Sequence, residues 1–138
     1  MQTNKVGVVG AGAMGAGIAQ IASQAGHQVI LYDLSQSTLD ESASKLAKVM
    51  ARLIEKKRIT IEESIAIQDR IVRSTQIDLF EGCDLVIEAV VENLDVKHSV
   101  FKQIENIVSR DCIIASNTSS LSITSLAAGC NHPERVVG

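Results

Sequence analysis

The sequence predicts an α/β fold in which helices cover both faces of a doubly wound parallel sheet. Short apolar runs alternate along the chain with segments whose apolar residues recur at helical spacing. Alternation of this kind is typical of parallel strands joined by right-handed helical crossovers. A glycine-rich turn after the first apolar run, and an acidic residue at the end of the second, support the same prediction. We expect one domain over the 138 residues.

The first strand–helix–strand unit covers residues 5–33. Residues 5–9 form an apolar run of the kind that makes a buried strand. A helix over about residues 13–25 follows, and Gly26 is a typical stop because glycine readily adopts the conformation needed after a helix. The second predicted strand covers residues 28–33.

A helical arm is predicted between the second and third strands. Ser35 is suited to cap a long helix that runs to about Lys57, since its hydroxyl can accept a hydrogen bond from a first-turn amide. Thr60 and Glu63 fit a capping box and predict a second helix that ends near Asp69. The apolar residues at helical spacing in the long helix are Leu39, Ala43, Leu46, Met50, Leu53 and Ile54.

The second half of the chain repeats the alternation of strands and helices. Strands are predicted at residues 71–75, 84–90 and 112–116, and a sixth begins at 135–137. Helices are predicted at residues 94–109 and 122–128. Because the chain stops inside its last strand-like run, we expect it to be one domain of a longer protein.

Composition excludes several classes of function. The net charge is −3 and aromatic residues make up 2% of the chain, so we expect no nucleic-acid partner. No apolar span is long enough for a membrane helix, and we expect no membrane partner. Cys83, Cys112 and Cys130 are widely spaced without a CxxC pair, which predicts free thiols in a reducing cytoplasm and no metal site.

The glycine-rich turn has the pattern G-x-G-x-x-G, formed by Gly10, Gly12 and Gly15. It follows a predicted strand and opens a predicted helix, the context in which this pattern binds the pyrophosphate of a dinucleotide. Gly10 allows the tight turn, Gly12 lets the backbone approach the pyrophosphate, and Gly15 permits close packing of helix and sheet. The helix start at Ala13 and Met14 contributes amide N–H groups and a partial positive charge. The predicted sheet is therefore Rossmann-like.

Asp33 ends the second predicted strand, where its carboxylate can accept hydrogen bonds from both hydroxyls of the adenosine ribose. The same carboxylate would repel a 2′-phosphate, and no Lys or Arg follows before Lys45. These observations predict NAD rather than NADP as the cofactor. Two alternatives stay open: FAD shares the glycine pattern, and the turn could bind nothing while Asp33 caps the next helix.

Three segments together resemble the N-terminal domain of the L-3-hydroxyacyl-CoA dehydrogenase family. They read VVGAGAMGAGIA at residues 8–19, LVIEAVVENLDVK at residues 85–97 and SNTSSLSI at residues 116–123. The resemblance covers essentially the whole chain, and the second and third segments are far more specific than the glycine turn. It identifies residues 1–138 as an NAD-binding domain, and bacterial short-chain members are the most similar.

The resemblance implies an activity for the parent protein. Members of the family oxidise a (3S)-3-hydroxyacyl-CoA to the 3-oxoacyl-CoA with NAD+, in fatty-acid or aromatic-acid breakdown. A histidine acts as the base and a glutamate supports it, both beyond Gly138, so we expect the isolated chain to be inactive. A helical C-terminal domain, also absent here, closes over the acyl-CoA substrate and supplies most contacts of a homodimer.

Several family residues carry over to this chain through the resemblance alone. Ser119 matches the serine that hydrogen-bonds the substrate oxygen, and Asn117 matches an asparagine close to the nicotinamide ribose. Glu92 and Lys97 match residues that contact the nicotinamide side of the cofactor. Ala89 lies where a small residue lets the cofactor pass.

Ordinary structural roles remain open for some of these residues. Asn117 and Ser119 belong to a polar run that could simply cap a short helix. Glu92 and Lys97 could be surface charges around a helix start. A non-catalytic dinucleotide-binding module, or a different hydroxyacid dehydrogenase, would also fit the glycine turn.

Overall fold

The computed structural model describes residues 4–89, 94–108, 112–116 and 136–137, with the backbone alone described at 94–98, 116 and 136–137. The strands are β1 (Lys5–Val9), β2 (Gln28–Tyr32), β3 (Ile71–Ser74), β4 (Leu85–Glu88), β5 (Ile113–Ser116) and β6 (Val136–Val137). The α-helices are α1 (Ala13–Gln24), α2 (Gln36–Glu55), α3 (Ile61–Asp69) and α4 (Leu94–Ile107).

The described strands form one six-stranded sheet in the order β3-β2-β1-β4-β5-β6. Every pairing is parallel. The chain moves outward from β1 to β3 and then returns to the other side of β1 for β4, so the order reverses between β1 and β4. This arrangement confirms the predicted doubly wound, Rossmann-like sheet and the helical arm between the second and third strands.

Two hydrophobic clusters form the core, one on each face of the sheet. Val8 packs in the cluster with α1, α2 and α3, whereas Val9 packs in the cluster with α4. Neighbouring residues of β1 enter different clusters because strand side chains alternate between faces. The sheet is therefore covered on both sides, as its continuous apolar strands require.

The helical arm begins where its local signals predict. The hydroxyl of Ser35 accepts a hydrogen bond from the amide of Thr38 at 3.3 Å and caps α2. The hydroxyl of Thr60 accepts a hydrogen bond from the amide of Glu63 at 3.0 Å and caps α3. Each cap satisfies an amide that has no acceptor within its own helix.

A short 3-10 helix at Ile77–Phe80, between β3 and β4, was not predicted. It places Phe80 fully inside the core, with its ring 5.8 Å from that of Tyr32 in an edge-to-face contact. A Cβ on Gly7 would lie 2.8 Å from the Phe80 ring, so glycine at that position makes room for the aromatic side chain. The helix predicted at 122–128 lies outside the described residues.

None of the helices in the described part of the chain is both long enough and apolar enough to cross a membrane. Cys83 and Cys112 are buried free thiols, while Cys130 lies outside the described residues.

Candidate functional site

The glycine turn begins at Gly10, immediately after β1. Gly10 has a φ of 103°, in the left-handed region that side chains disfavour, and its amide donates to the carbonyl of Tyr32 at 2.7 Å. That bond extends the β1–β2 ladder by one residue before the chain turns away. The turn is therefore anchored to the carboxyl ends of both strands.

Gly15 is required by contact inside the turn itself. A Cβ at this position would lie 1.6 Å from the carbonyl oxygen of Gly10, whereas the nearest sheet side chain, Val8, would be 3.5 Å away. We expected this glycine to permit packing of helix against sheet. The tighter constraint is the Gly10 carbonyl, because α1 turns back directly over it.

Gly12 has no such constraint from the part of the chain that the structure describes. It is the N-cap of α1 with a φ of −67°, it makes no side-chain cap, and a Cβ there would meet none of the described residues within 4 Å. Gly12, Ala13 and Met14 are all exposed at the start of the helix. The open side of the turn therefore gives a ligand access to the positive end of the α1 dipole.

Asp33 ties the turn to the neighbouring strand. Its Oδ2 accepts from the amide of Ala11 at 2.9 Å, and its Oδ1 accepts from the amide of Ser35 at 2.9 Å. The N-cap of α2 is Ser35. The alternative in which Asp33 caps this helix is therefore wrong. Each carboxylate oxygen has a second lone pair, so Asp33 can still accept from ligand hydroxyls.

The charge of Asp33 also acts on its neighbour Tyr32. The pKa of the Tyr32 phenol is raised, first by burial and then by the negative charge of Asp33. Tyr32 is therefore neutral at physiological pH. Its ring packs against that of Phe80 in the core.

The carboxyl end of β4 lies at the same edge of the sheet as the glycine turn. The amide of Ala89 donates to the carbonyl of Val9 at 2.8 Å, one residue beyond the end of β4. Ala89 is thus adjacent to the point where the strand order reverses, which is where ligands bind in open parallel sheets.

The structure brings together one group of the predicted site residues and leaves another group undescribed. At the carboxyl edge of β1, β2 and β4 lie Gly10, Gly12, Ala13, Met14, Gly15, Asp33 and Ala89. Lys97 belongs to α4, where only its backbone is described. Glu92, Asn117 and Ser119 lie outside the described residues.

Sequence reasoning did not single out Glu88, whose side chain is fully buried at the end of β4. It pairs in register with Val9 of β1 and Ser116 of β5, so it stands at the reversal of strand order. The sequence held a signal for this position, because Glu88 lies in an apolar run that predicts a buried strand. A buried carboxylate is costly, which makes its occurrence beside the site informative.

The site has no metal-binding character in the part of the chain that the structure describes. No group of three or more His, Cys, Asp or Glu side chains there is arranged to hold a metal ion. The groups open to a ligand are backbone amides at a helix start and the Asp33 carboxylate, which suit phosphate and ribose hydroxyls.

Comparison with known proteins relates this geometry to a family. Residues 5–138 match the family model described as 3-hydroxyacyl-CoA dehydrogenase, NAD binding domain. A probable 3-hydroxybutyryl-CoA dehydrogenase of Deinococcus radiodurans is 42% identical over 134 residues, which are 97% of this chain and 48% of that protein. The 3-hydroxyadipyl-CoA dehydrogenase of Escherichia coli is 38% identical over 133 residues, 96% of this chain and 28% of that protein.

Solved structures give the same relationship. The crystal structure of (S)-3-hydroxybutyryl-CoA dehydrogenase from Ralstonia eutropha superposes with a TM-score of 0.91 at 41% identity, covering 98% of this chain and 48% of that chain. The chain thus spans about half the length of the Deinococcus radiodurans and Ralstonia eutropha proteins, and 28% of the Escherichia coli protein. The family match also supports NAD as the cofactor. By the match over residues 5–138, the chain belongs to the NAD-binding domain family of 3-hydroxyacyl-CoA dehydrogenases.

Proposed function

We propose that this domain holds NAD in an oxidoreductase that converts (3S)-3-hydroxyacyl-CoA to 3-oxoacyl-CoA. The observation that carries the proposal is the hydrogen bond between Ala11 and Asp33, which fixes a phosphate-binding turn beside a ribose-binding carboxylate. The exposed start of α1 supports the proposal, because a Cβ at Gly12 would meet none of the described residues and the approach to the helix is open there.

Within this proposal, each part of the described site has one task. The start of α1, at Gly12 and Ala13, holds the pyrophosphate through backbone amides and the helix dipole. Asp33 accepts hydrogen bonds from the adenosine ribose hydroxyls and disfavours a 2′-phosphate, which selects NAD over NADP. Ala89 leaves room for the cofactor to cross the end of β4. NAD+ supplies the hydride acceptor when it is bound.

The nicotinamide side of the proposed site rests on the family resemblance. Glu92 and Lys97 are assigned to contacts with the cofactor, Asn117 to a position near the nicotinamide ribose, and Ser119 to a hydrogen bond with the substrate oxygen. Of these, Lys97 lies on α4. α4 follows the carboxyl end of β4 in the chain, a placement consistent with this assignment.

The proposed partners follow from the relatives. Names such as 3-hydroxybutyryl-CoA dehydrogenase and 3-hydroxyadipyl-CoA dehydrogenase describe enzymes that act on acyl-CoA thioesters. We infer an acyl-CoA substrate for the protein that carries this domain, a cytoplasmic location, and a homodimer held by a domain outside these residues.

A turnover assay of the protein that carries this domain tests the proposal. (3S)-3-hydroxybutyryl-CoA and (3S)-3-hydroxyadipyl-CoA are each supplied with NAD+ or NADP+, and formation of the reduced cofactor is followed by absorbance. We expect reduction of NAD+ with at least one thioester and little reduction of NADP+. Tight binding of NADH without turnover of either thioester would instead indicate a dinucleotide-binding module.

A further inference from the structure

A cleft of about 210 Å³ lies between α1, α2 and β3, and it follows the flank of α1 from Ala13 to Gln20. We call it the α1–α2 cleft. It exists because α1 presents small residues such as Ala16 and Gly17 toward α2, which leaves space between the two helices. Its polar lining consists of Gln20, Ser42, Lys45 and Arg73.

Arg73 is held in place at this cleft by a buried serine. Its Nε donates to the Oγ of Ser42 at 2.9 Å, and the Ser42 hydroxyl in turn donates to the carbonyl of Leu39 at 2.6 Å. Ser42 is only 3% exposed, so this support is rigid and shielded from water. A guanidinium fixed through Nε keeps its terminal N–H groups as a preformed fork for an anion.

Among the described residues, the charged side chains that line the cleft, Lys45 and Arg73, are both cations and form no ion pair. One carboxylate is near, because Glu41 lines the adjoining recess together with Lys45. Arg73 is half-buried, and this burial lowers the pKa of its guanidinium. Its hydrogen-bond acceptor among the described residues is a neutral hydroxyl, so a bound anion would offset part of the cost of burying the charge.

We propose that the α1–α2 cleft binds a small organic anion, with its charged group on Arg73 and Lys45. The rest of the lining is apolar and includes Leu31, Leu46, Val49 and Ile71, so the ligand has a short apolar body. A cavity of about 150 Å³ accommodates benzene, and the α1–α2 cleft therefore fits a chain of about six carbons. Carboxylate and phosphate share the required charge and planar or forked oxygen geometry.

The cleft adjoins the glycine turn, because Ala13 at the start of α1 is also part of the cleft lining. A smaller recess of about 50 Å³, which includes Gly12, Ala13 and Lys45, lies between the two. An anion could therefore bind at the helix start instead of the cleft, and the experiment must distinguish the two positions.

Nuclear magnetic resonance titration of the 138-residue chain tests the proposal. The probes are hexanoate, hexyl phosphate and inorganic phosphate at constant ionic strength, with hexanol as the uncharged control, and each titration is run with and without saturating NADH. We expect saturable shifts of the Ala16, Gly17 and Gln20 amides with hexanoate or hexyl phosphate, and these shifts persist in NADH. The two hexyl probes distinguish a carboxylate ligand from a phosphate ligand.

Matched variants assign the binding to particular side chains. Arg73→Met weakens binding about tenfold or more, the loss expected for charge-assisted hydrogen bonds. Arg70→Met is the control, because the Arg70 guanidinium donates to the carbonyl of Ser23 and does not line the cleft. Lys45→Met weakens binding less, while Lys48→Met, on the same helix but outside the cleft, leaves it unchanged.

Three results would overturn the proposal. One is the lack of saturable shifts with both hexyl anions. A second is shifts that centre on Gly12 and disappear when NADH is present. The third is equal loss of binding in Arg70→Met and Arg73→Met. If Arg73→Met unfolds, anion binding by Lys45→Met and Lys48→Met is compared instead, because both lysines are exposed and their replacement should leave the fold intact. Equal binding by these two variants would then overturn the proposal.

Discussion

The backbone amide of Ala11 donates a hydrogen bond to the carboxylate of Asp33, with 2.9 Å between the nitrogen and Oδ2. The bond joins the middle of the glycine turn to the end of β2, although the two residues are separated by a whole helix. Because the other carboxylate oxygen accepts from Ser35, Asp33 holds the turn, the strand end and the start of α2 in one arrangement. The two parts of the site that we propose for ribose and phosphate are therefore joined by hydrogen bonds of Asp33.

Replacing Asp33 with asparagine should change cofactor preference as well as affinity. The amide keeps only one acceptor oxygen, so one of the bonds to Ala11 and Ser35 is lost and NADH affinity falls about tenfold. Loss of the negative charge removes the repulsion of a 2′-phosphate, so the ratio of NADPH to NADH affinity rises. Calorimetric titration measures both, with Asp40→Asn, an exposed carboxylate on α2, as the control. An unchanged ratio would show that Asp33 does not select the cofactor.

Replacing Gly12 with alanine should separate binding from folding. Among the described residues nothing lies within 4 Å of the new Cβ, so the free energy of unfolding in urea should change by less than about 1 kcal/mol. The same methyl group stands where the cofactor approaches the start of α1, and NADH affinity should fall at least about tenfold. Normal NADH binding by Gly12→Ala would place the pyrophosphate elsewhere.

Two glycines of α1 should respond to alanine in opposite directions. Gly15→Ala places a Cβ 1.6 Å from the Gly10 carbonyl oxygen, so the turn must move. The free energy of unfolding should then fall by about 3 kcal/mol or more. Gly17→Ala meets nothing within 4 Å and should raise the free energy of unfolding by roughly 0.5–1 kcal/mol, because alanine favours helix. Equal effects of both changes in urea unfolding would contradict the described turn.

The buried thiol of Cys83 should make the fold sensitive to alkaline pH. Burial, the largest cause, raises the pKa of Cys83 from 9.0 to about 11; Cys112 and Asp84 add to the rise, and Lys5 opposes it. The unfolded thiol therefore loses its proton at lower pH than the folded one. The resulting stabilisation is complete below pH 9.0 and is lost as the pH rises toward about 11.

Urea unfolding across this pH range, compared between the parent chain and Cys83→Ala, measures the effect. The parent should lose more stability between pH 9.0 and about 11 than the variant does. Both proteins should still lose some stability at high pH, because the pKa of Tyr32 is also raised. If the free energy of unfolding fell equally with pH in both proteins, ionisation of Cys83 would not contribute to the loss of stability.

Features set by local chemistry were predictable from the sequence. The caps at Ser35 and Thr60 form because a hydroxyl accepts from an amide three residues later, and that spacing is visible in the sequence. The doubly wound parallel sheet followed from alternating apolar runs and the handedness of crossovers, whereas the strand order came from the structure. The left-handed turn at Gly10 was predictable because glycine is the residue that adopts it without strain.

Features set by distant contacts were not predictable. The bond between Arg73 and Ser42 joins residues 31 positions apart, and nothing in either local sequence indicates the other. The 3-10 helix that buries Phe80 has no periodic pattern, and its position depends on the space left by Gly7. The double role of Asp33 also required the turn and α2 to be placed in space.

Calorimetric titration of the chain with NADH, and separately with NADPH, tests most directly whether the glycine turn and Asp33 form a working cofactor site. We expect saturable binding of NADH and much weaker binding of NADPH, because in the proposed site the Asp33 carboxylate would repel a 2′-phosphate. Equal binding of the two cofactors, or no binding of either, would contradict the account.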